Sequence, residues 1–204
     1  MKKILIIYSF LIGLFCSCTQ CTTKQEVIAN IQDVENTIST DYNAMYSMHG
    51  QDYFRWYECD ILLDEFLDEE CDGSIAELVN IFQTTVVFDS LSFDTKVYKI
   101  QHFSDGKVVK DSVSGFWIEN HPMFPDSIKI TYKQAFELMQ SVNYPKPHSQ
   151  HVTIRKPIGP LDCNIQYIFG NIHSQIWVDA VTGEIRQSNP AFPAELKIPL
   201  GEWP

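Results

Sequence analysis

The apolar positions along the chain switch between a helical and a strand-like period. Val27, Ile31, Val34 and Ile38 recur at helical spacing and predict an amphipathic helix over 25–39. Asp41 to Gly50 reads as a break. The aromatic group Tyr53, Phe54, Trp56 and Tyr57 follows and reads as core packing. Over 60–71, Leu62, Leu63, Phe66 and Leu67 share one face of a helical wheel; Asp64, Glu65, Asp68 and Glu69 share the other. Ser74 and Glu77 have capping-box spacing, which predicts a further helix with Ile75, Leu78, Val79 and Phe82 as its buried stripe.

Strand signals come next. Thr85 to Phe88 is β-branched and apolar, and Val97–Phe103 and Lys107–Val113 flank Asp105-Gly106, a favourable hairpin turn. The segment 120–127 carries two prolines and reads as a connector. Thr131 and Gln134 then suggest another capping box, with Ala135, Leu138, Met139 and Val142 as the helical stripe. Strands are predicted at about 150–156, 163–169, 173–179 and 184–187. The tail 190–204 has four prolines and reads as a strap across the domain.

These elements predict an α+β fold in which helices pack on antiparallel β-sheet. Both halves run helix then strands, an order compatible with a degenerate duplication. The domain plan is 1–17 as export signal, 18–24 as tether, 25–127 as an N-terminal α+β region, 128–189 as a C-terminal domain and 190–204 as the strap.

The N-terminus changes the picture. Lys2 and Lys3 precede twelve almost wholly apolar residues, Ile4 to Phe15. A spanning helix needs roughly 20 apolar residues, so this run reads as an export signal. Leu14-Phe15-Cys16-Ser17-Cys18 resembles the lipobox of bacterial lipoproteins. The resemblance implies cleavage before Cys18, lipidation of Cys18 and a cell-envelope location, periplasmic or surface-exposed, with acyl chains as the membrane anchor.

Without Lys2 and Lys3 the chain holds 13 basic residues against 26 acidic ones, a net charge of −13. So acidic a chain argues against nucleic acid and favours a basic macromolecular partner. Cys21, Cys59, Cys71 and Cys163 would meet an oxidising space after export, and four cysteines allow three full pairings. A continuous helix would hold Cys59 and Cys71 about 18 Å apart, beyond disulfide reach. That leaves Cys71 or Cys59 to pair with Cys163.

"ITYKQAFELMQ" (130–140), "CNIQYIFG" (163–170) and "IWVDAVTGEI" (176–185) together resemble the PepSY-like domains of exported bacterial proteins. The resemblance covers about residues 128–188 and implies a helix against an antiparallel sheet, with a role in binding or restraining partners and no catalytic set. Physically, Asp179 can cap its turn and Gly183 can take the positive φ that returns the chain into a hairpin.

Chemical constellations are sparse. Asp68, Glu70, Asp72 and Gly73 imitate the start of an EF-hand loop, but Val79 stands where its bidentate carboxylate belongs. His148 and His151 lack a third zinc ligand. No GxSxG or papain-like cysteine setting occurs. No catalytic residue, metal or cofactor is therefore assigned. The expected function is that of a non-enzymatic envelope lipoprotein binding a protein partner, by restraining a peptidase or neutralising a basic toxin. Asp64, Glu65, Asp68 and Glu69 are the candidate contact residues. The alternative is a small-ligand- or peptide-binding lipoprotein; a hydrolase ranks third.

Overall fold

The computed structural model describes residues 31–87, 93–117, 120–158 and 164–188. Cys18, Cys21, Cys163, the tether and the 190–204 strap lie outside the described residues. Two helices are described, α1 (Val34–His49) and α2 (Tyr132–Ser141). Nine strands accompany them: β1 (Phe54–Leu63), β2 (Ile75–Val87), β3 (Phe93–Phe103), β4 (Val108–Ser114), β5 (Asn120–His121), β6 (His151–Pro157), β7 (Gln166–Asn171), β8 (Ser174–Asp179) and β9 (Ile185–Ser188).

All strands join one antiparallel sheet in the order β4-β3-β2-β1-β6-β7-β8-β9, with β5 pairing on β6. Each helix precedes a four-stranded meander, β1–β4 after α1 and β6–β9 after α2. The meanders meet where β1 pairs with β6, Asp60 opposite Thr153. The main core lies on the helix side, where Cys59, Ile61, Leu78, Phe82, Ile154, Tyr167 and Phe169 are buried.

This is a largely β fold and not the expected α+β packing of helices on a sheet. Two of the predicted helices are strand or loop. β2 runs through the residues assigned to a Ser74-capped helix, so that capping box does not form. Its Leu78, Phe82 and Thr84 are buried, and its other face also buries Ile81. Apolar residues on both faces erase the period of two and let a helical template fit. The predicted acidic helix over 60–71 is the end of β1 followed by a loop. A register shift between Trp56 and Glu58 hides the alternation of β1, so that Glu58 and Cys59 are both buried.

The chain leaving β4 covers part of the second face of the sheet, around Gln83 and Glu58. Trp117 N–H donates to Gln83 Oε1 at 2.6 Å, Asn120 Nδ2 donates to Glu58 Oε2, and Met123 N–H donates to the Trp56 carbonyl at 2.7 Å.

α1 continues to His49 through the expected break. Asp41 is interior, not a breaker: its Oδ2 accepts from Asn80 Nδ2 at 2.7 Å and lies 2.8 Å from His102 Nε2. α2 starts as predicted, with the Thr131–Gln134 capping box formed in both directions. The β3–β4 hairpin turns at Asp105-Gly106, where Gly106 has φ 84°.

Candidate functional site

β1 ends at Leu63, and residues 64–74 return the chain to β2. Within this loop Asp64, Glu65, Asp68, Glu69, Glu70 and Asp72 are all exposed. Local sequence packs the charge there, and three features hold it in place. Leu67 sits between the acidic pairs and is only 1% exposed, a plug in the core. Backbone bonds tie the loop to the α2–β6 connection: Leu63 N–H to the Gln150 carbonyl at 2.8 Å and Leu67 N–H to the Ser149 carbonyl at 2.9 Å. Phe66 stacks on His148 with ring centroids 4.3 Å apart and 3° between the planes.

The four candidate contact residues therefore lie on a pinned loop and not on a helix face. Asp68 Oδ1 lies 3.0 Å from His148 Nδ1, the one contact between a loop carboxylate and a basic side chain among the described residues. Six carboxylates with one histidine partner leave a dense, largely unneutralised negative potential. Glu70 and Asp72 belong to the same surface.

Beside the loop lies a cleft of about 630 Å³. Asp72, Gly73 and Ser74 form one side; Tyr132, Lys133, Phe136, Glu137, Gln140 and Ser141 form the other, with Gln32 at one end. The α2 residues fall on one helical face by their i, i+4, i+8 spacing. The Tyr132 hydroxyl donates to the Gly73 carbonyl at 2.9 Å, which fixes the two sides together. Burial pushes the Tyr132 phenol well above its ordinary range, so it stays protonated as that donor.

Gly73 has φ +83°, and a Cβ there would stand 3.2 Å from three Phe136 ring carbons. Glycine satisfies both the left-handed backbone and the close approach to the ring. Asp72 Oδ1 accepts the Ser74 N–H at 2.8 Å, and the Ser74 side chain, followed by that amide, lowers the Asp72 pKa. Its carboxylate is thus ionised and fixed at the rim. The Gln32 side-chain amide exchanges two hydrogen bonds with the Ile75 backbone, at 3.0 and 3.1 Å, and closes the cleft where α1 begins.

The other candidate residues lie elsewhere. Among the described residues Cys59 and Cys71 form no disulfide; Cys59 is buried in the core and Cys71 half-buried in the acidic loop. Burial raises the pKa of both. Asp179 Oδ1 accepts from Val181 N–H and Thr182 N–H, each at 2.8 Å, and Gly183 has φ 74°. These two shape the β8–β9 turn, far along the sheet from the acidic loop in strand order. His148 is held by Phe66 and Asp68, whereas His151 is exposed on β6. Among the described residues no group of three or more His, Cys, Asp or Glu side chains is placed to hold a metal ion. No described helix is long and apolar enough to cross a membrane.

No protein-family model matches the chain, and neither a curated protein nor a solved structure matches it. The functional reading rests on the acidic loop and the cleft themselves.

Proposed function

We propose that this protein is a non-enzymatic, lipid-anchored envelope protein that docks a basic protein partner on its acidic loop. The observation that carries this reading is the pinning of the charge. Exposed carboxylates on a mobile segment would spread their field and lose side-chain and backbone freedom on binding. Here Leu67 and the 149–150 backbone hold Asp64, Glu65, Asp68 and Glu69 in place before a partner arrives. A preorganised negative surface raises the encounter rate of a cationic protein and disfavours acidic competitors.

The lipobox-like run ending at Cys18 and the PepSY-like order of 128–188 support the envelope location and the restraining role. A secreted basic protein, either a peptidase held in check or a toxin neutralised at the surface, fits both. The test is capture. The mature protein is presented to envelope and secreted extracts at low and high salt, beside a form reversed to lysine at Asp64, Glu65, Asp68 and Glu69. A stoichiometric basic protein that salt releases and the reversed form does not retain supports the reading. Equal retention by both forms contradicts it.

A further inference from the structure

We propose that the cleft between residues 72–74 and α2 receives a single lysine or arginine side chain from the basic partner. This rests on the docking reading and gives that surface an anchor point. The cleft has a defined shape: about 630 Å³, open beside the acidic loop, with Tyr132 and Phe136 rings in its wall. Both rings are almost fully buried, Tyr132 held by its hydroxyl on the Gly73 carbonyl and Phe136 lying where a Cβ on Gly73 would stand 3.2 Å from its ring. A rigid, mostly apolar wall suits the methylene stem of a long cationic side chain.

Two carboxylates flank that wall from different elements. Asp72 stands on the loop side, its Oδ1 held by the Ser74 N–H at 2.8 Å. Glu137 stands on the α2 side. Lys133 lies one helical turn before Glu137, yet no ion pair joins them among the described residues. The cleft thus offers two acceptor groups to one resident ammonium. Charge complementarity selects a cationic occupant: Asp72 and Glu137 outnumber Lys133 in the lining, and the exposed Asp64, Glu65, Asp68, Glu69 and Glu70 add negative charge beside it. A lysine or arginine head can donate to either carboxylate.

The test uses the mature protein and a twelve-residue peptide of alternating lysine and glycine, with its fully Nε-acetylated form as control. Binding is followed by calorimetry and by the NMR signals of the Tyr132 and Phe136 rings. The proposal expects the lysine peptide, and not the acetylated one, to move both ring signals. Asp72→Asn combined with Glu137→Gln should weaken binding at least tenfold and abolish those movements. Asp64→Asn combined with Glu65→Gln should weaken binding while leaving the ring movements in place. Three results overturn the assignment: binding without ring-signal movement, unchanged affinity in the cleft variant, or no binding to the unmodified protein. Ring-signal changes caused by deleting residues 18–30, and not by the peptide, would also overturn it by giving the cleft to the chain's own N-terminal stretch. Each leaves the docking reading to be judged separately by capture with the charge-reversed loop.

Discussion

Glu35 Oε1 accepts the Tyr132 backbone N–H at 2.6 Å, so a side chain of α1 caps the first turn of α2. The same oxygen lies 3.1 Å from the Tyr167 hydroxyl, which is 2.8 Å from the Ile130 carbonyl. One carboxylate thereby joins the helices of both halves to the central part of the sheet. Glu35→Ala should destabilise the fold by about 1–2 kcal/mol, the scale of a lost cap with its hydrogen bond. Urea melts would show it as a lower midpoint with unchanged slope. A variant as stable as the parent would show that the contact has no energetic weight.

Asp41, Asn80 and His102 form a buried polar group between α1 and the β2–β3 pair. Asp41→Ala leaves Asn80 Nδ2 and His102 Nε2 interior without their shared acceptor, at a cost of about 1–3 kcal/mol, whereas His102→Ala leaves Asp41 with Asn80 alone. Asp41→Ala and His102→Ala together should cost less than the sum of the single changes. Additive losses in a double-mutant cycle would mean that the two side chains do not interact.

Stability should also depend on Glu58. It is only 6% exposed, and burial, followed by the neighbouring Asp60, raises its pKa from 4.5 to about 7. The folded state therefore holds the proton more tightly than the unfolded one. The Glu58 contribution is complete below pH about 4.5 and is lost as pH rises through about 7, with a slope of at most about 1.4 kcal/mol per pH unit. Glu58→Gln, which keeps a neutral group beside Asn120, should flatten this part of the profile and gain relative stability at pH 8. A variant whose profile between pH 5 and 8 matches the parent would contradict the assignment.

Gly73→Ala should lower stability by at least about 1 kcal/mol, because it combines a positive φ with a Cβ pressed on the Phe136 ring. The same change should shift the Phe136 ring signals, since the ring can give way only into the cleft or the core. An unshifted spectrum with parental stability would mean that the approach is looser than 3.2 Å.

The parts of this fold that sequence made legible are those determined by neighbours in the chain. Thr131 and Gln134 cap α2 within one turn, and Asp105-Gly106 turns the β3–β4 hairpin unaided. The strands β6 to β9 sit within a few residues of the predicted ones. β1 and β2 were misread because distant chain supplies their environment. The crossover from β4 meets the second face of β2 at Gln83, and the irregularity after Trp56 breaks the alternation of β1. Asp41 looked like a helix break because nothing local announces Asn80 and His102 as its partners.

The site divides in the same way. The acidic run was visible as composition, and its exposure follows from its charge. Its rigidity depends on Leu67 and on residues 149–150, which local sequence does not link to it. The cleft joins Gly73 to Tyr132 across 59 positions, so no local pattern could announce it.

The association rate of the captured basic partner is the measurement to make. It would be followed by stopped flow at low and high salt, for the parent and for the form carrying lysine at positions 64, 65, 68 and 69. Docking on the acidic loop predicts a parental rate that falls at least about tenfold with salt. It also predicts a reversed form that is at least about tenfold slower at low salt and nearly insensitive to salt. Equal rates for the two proteins, with the same salt dependence, would contradict a docking role for the loop.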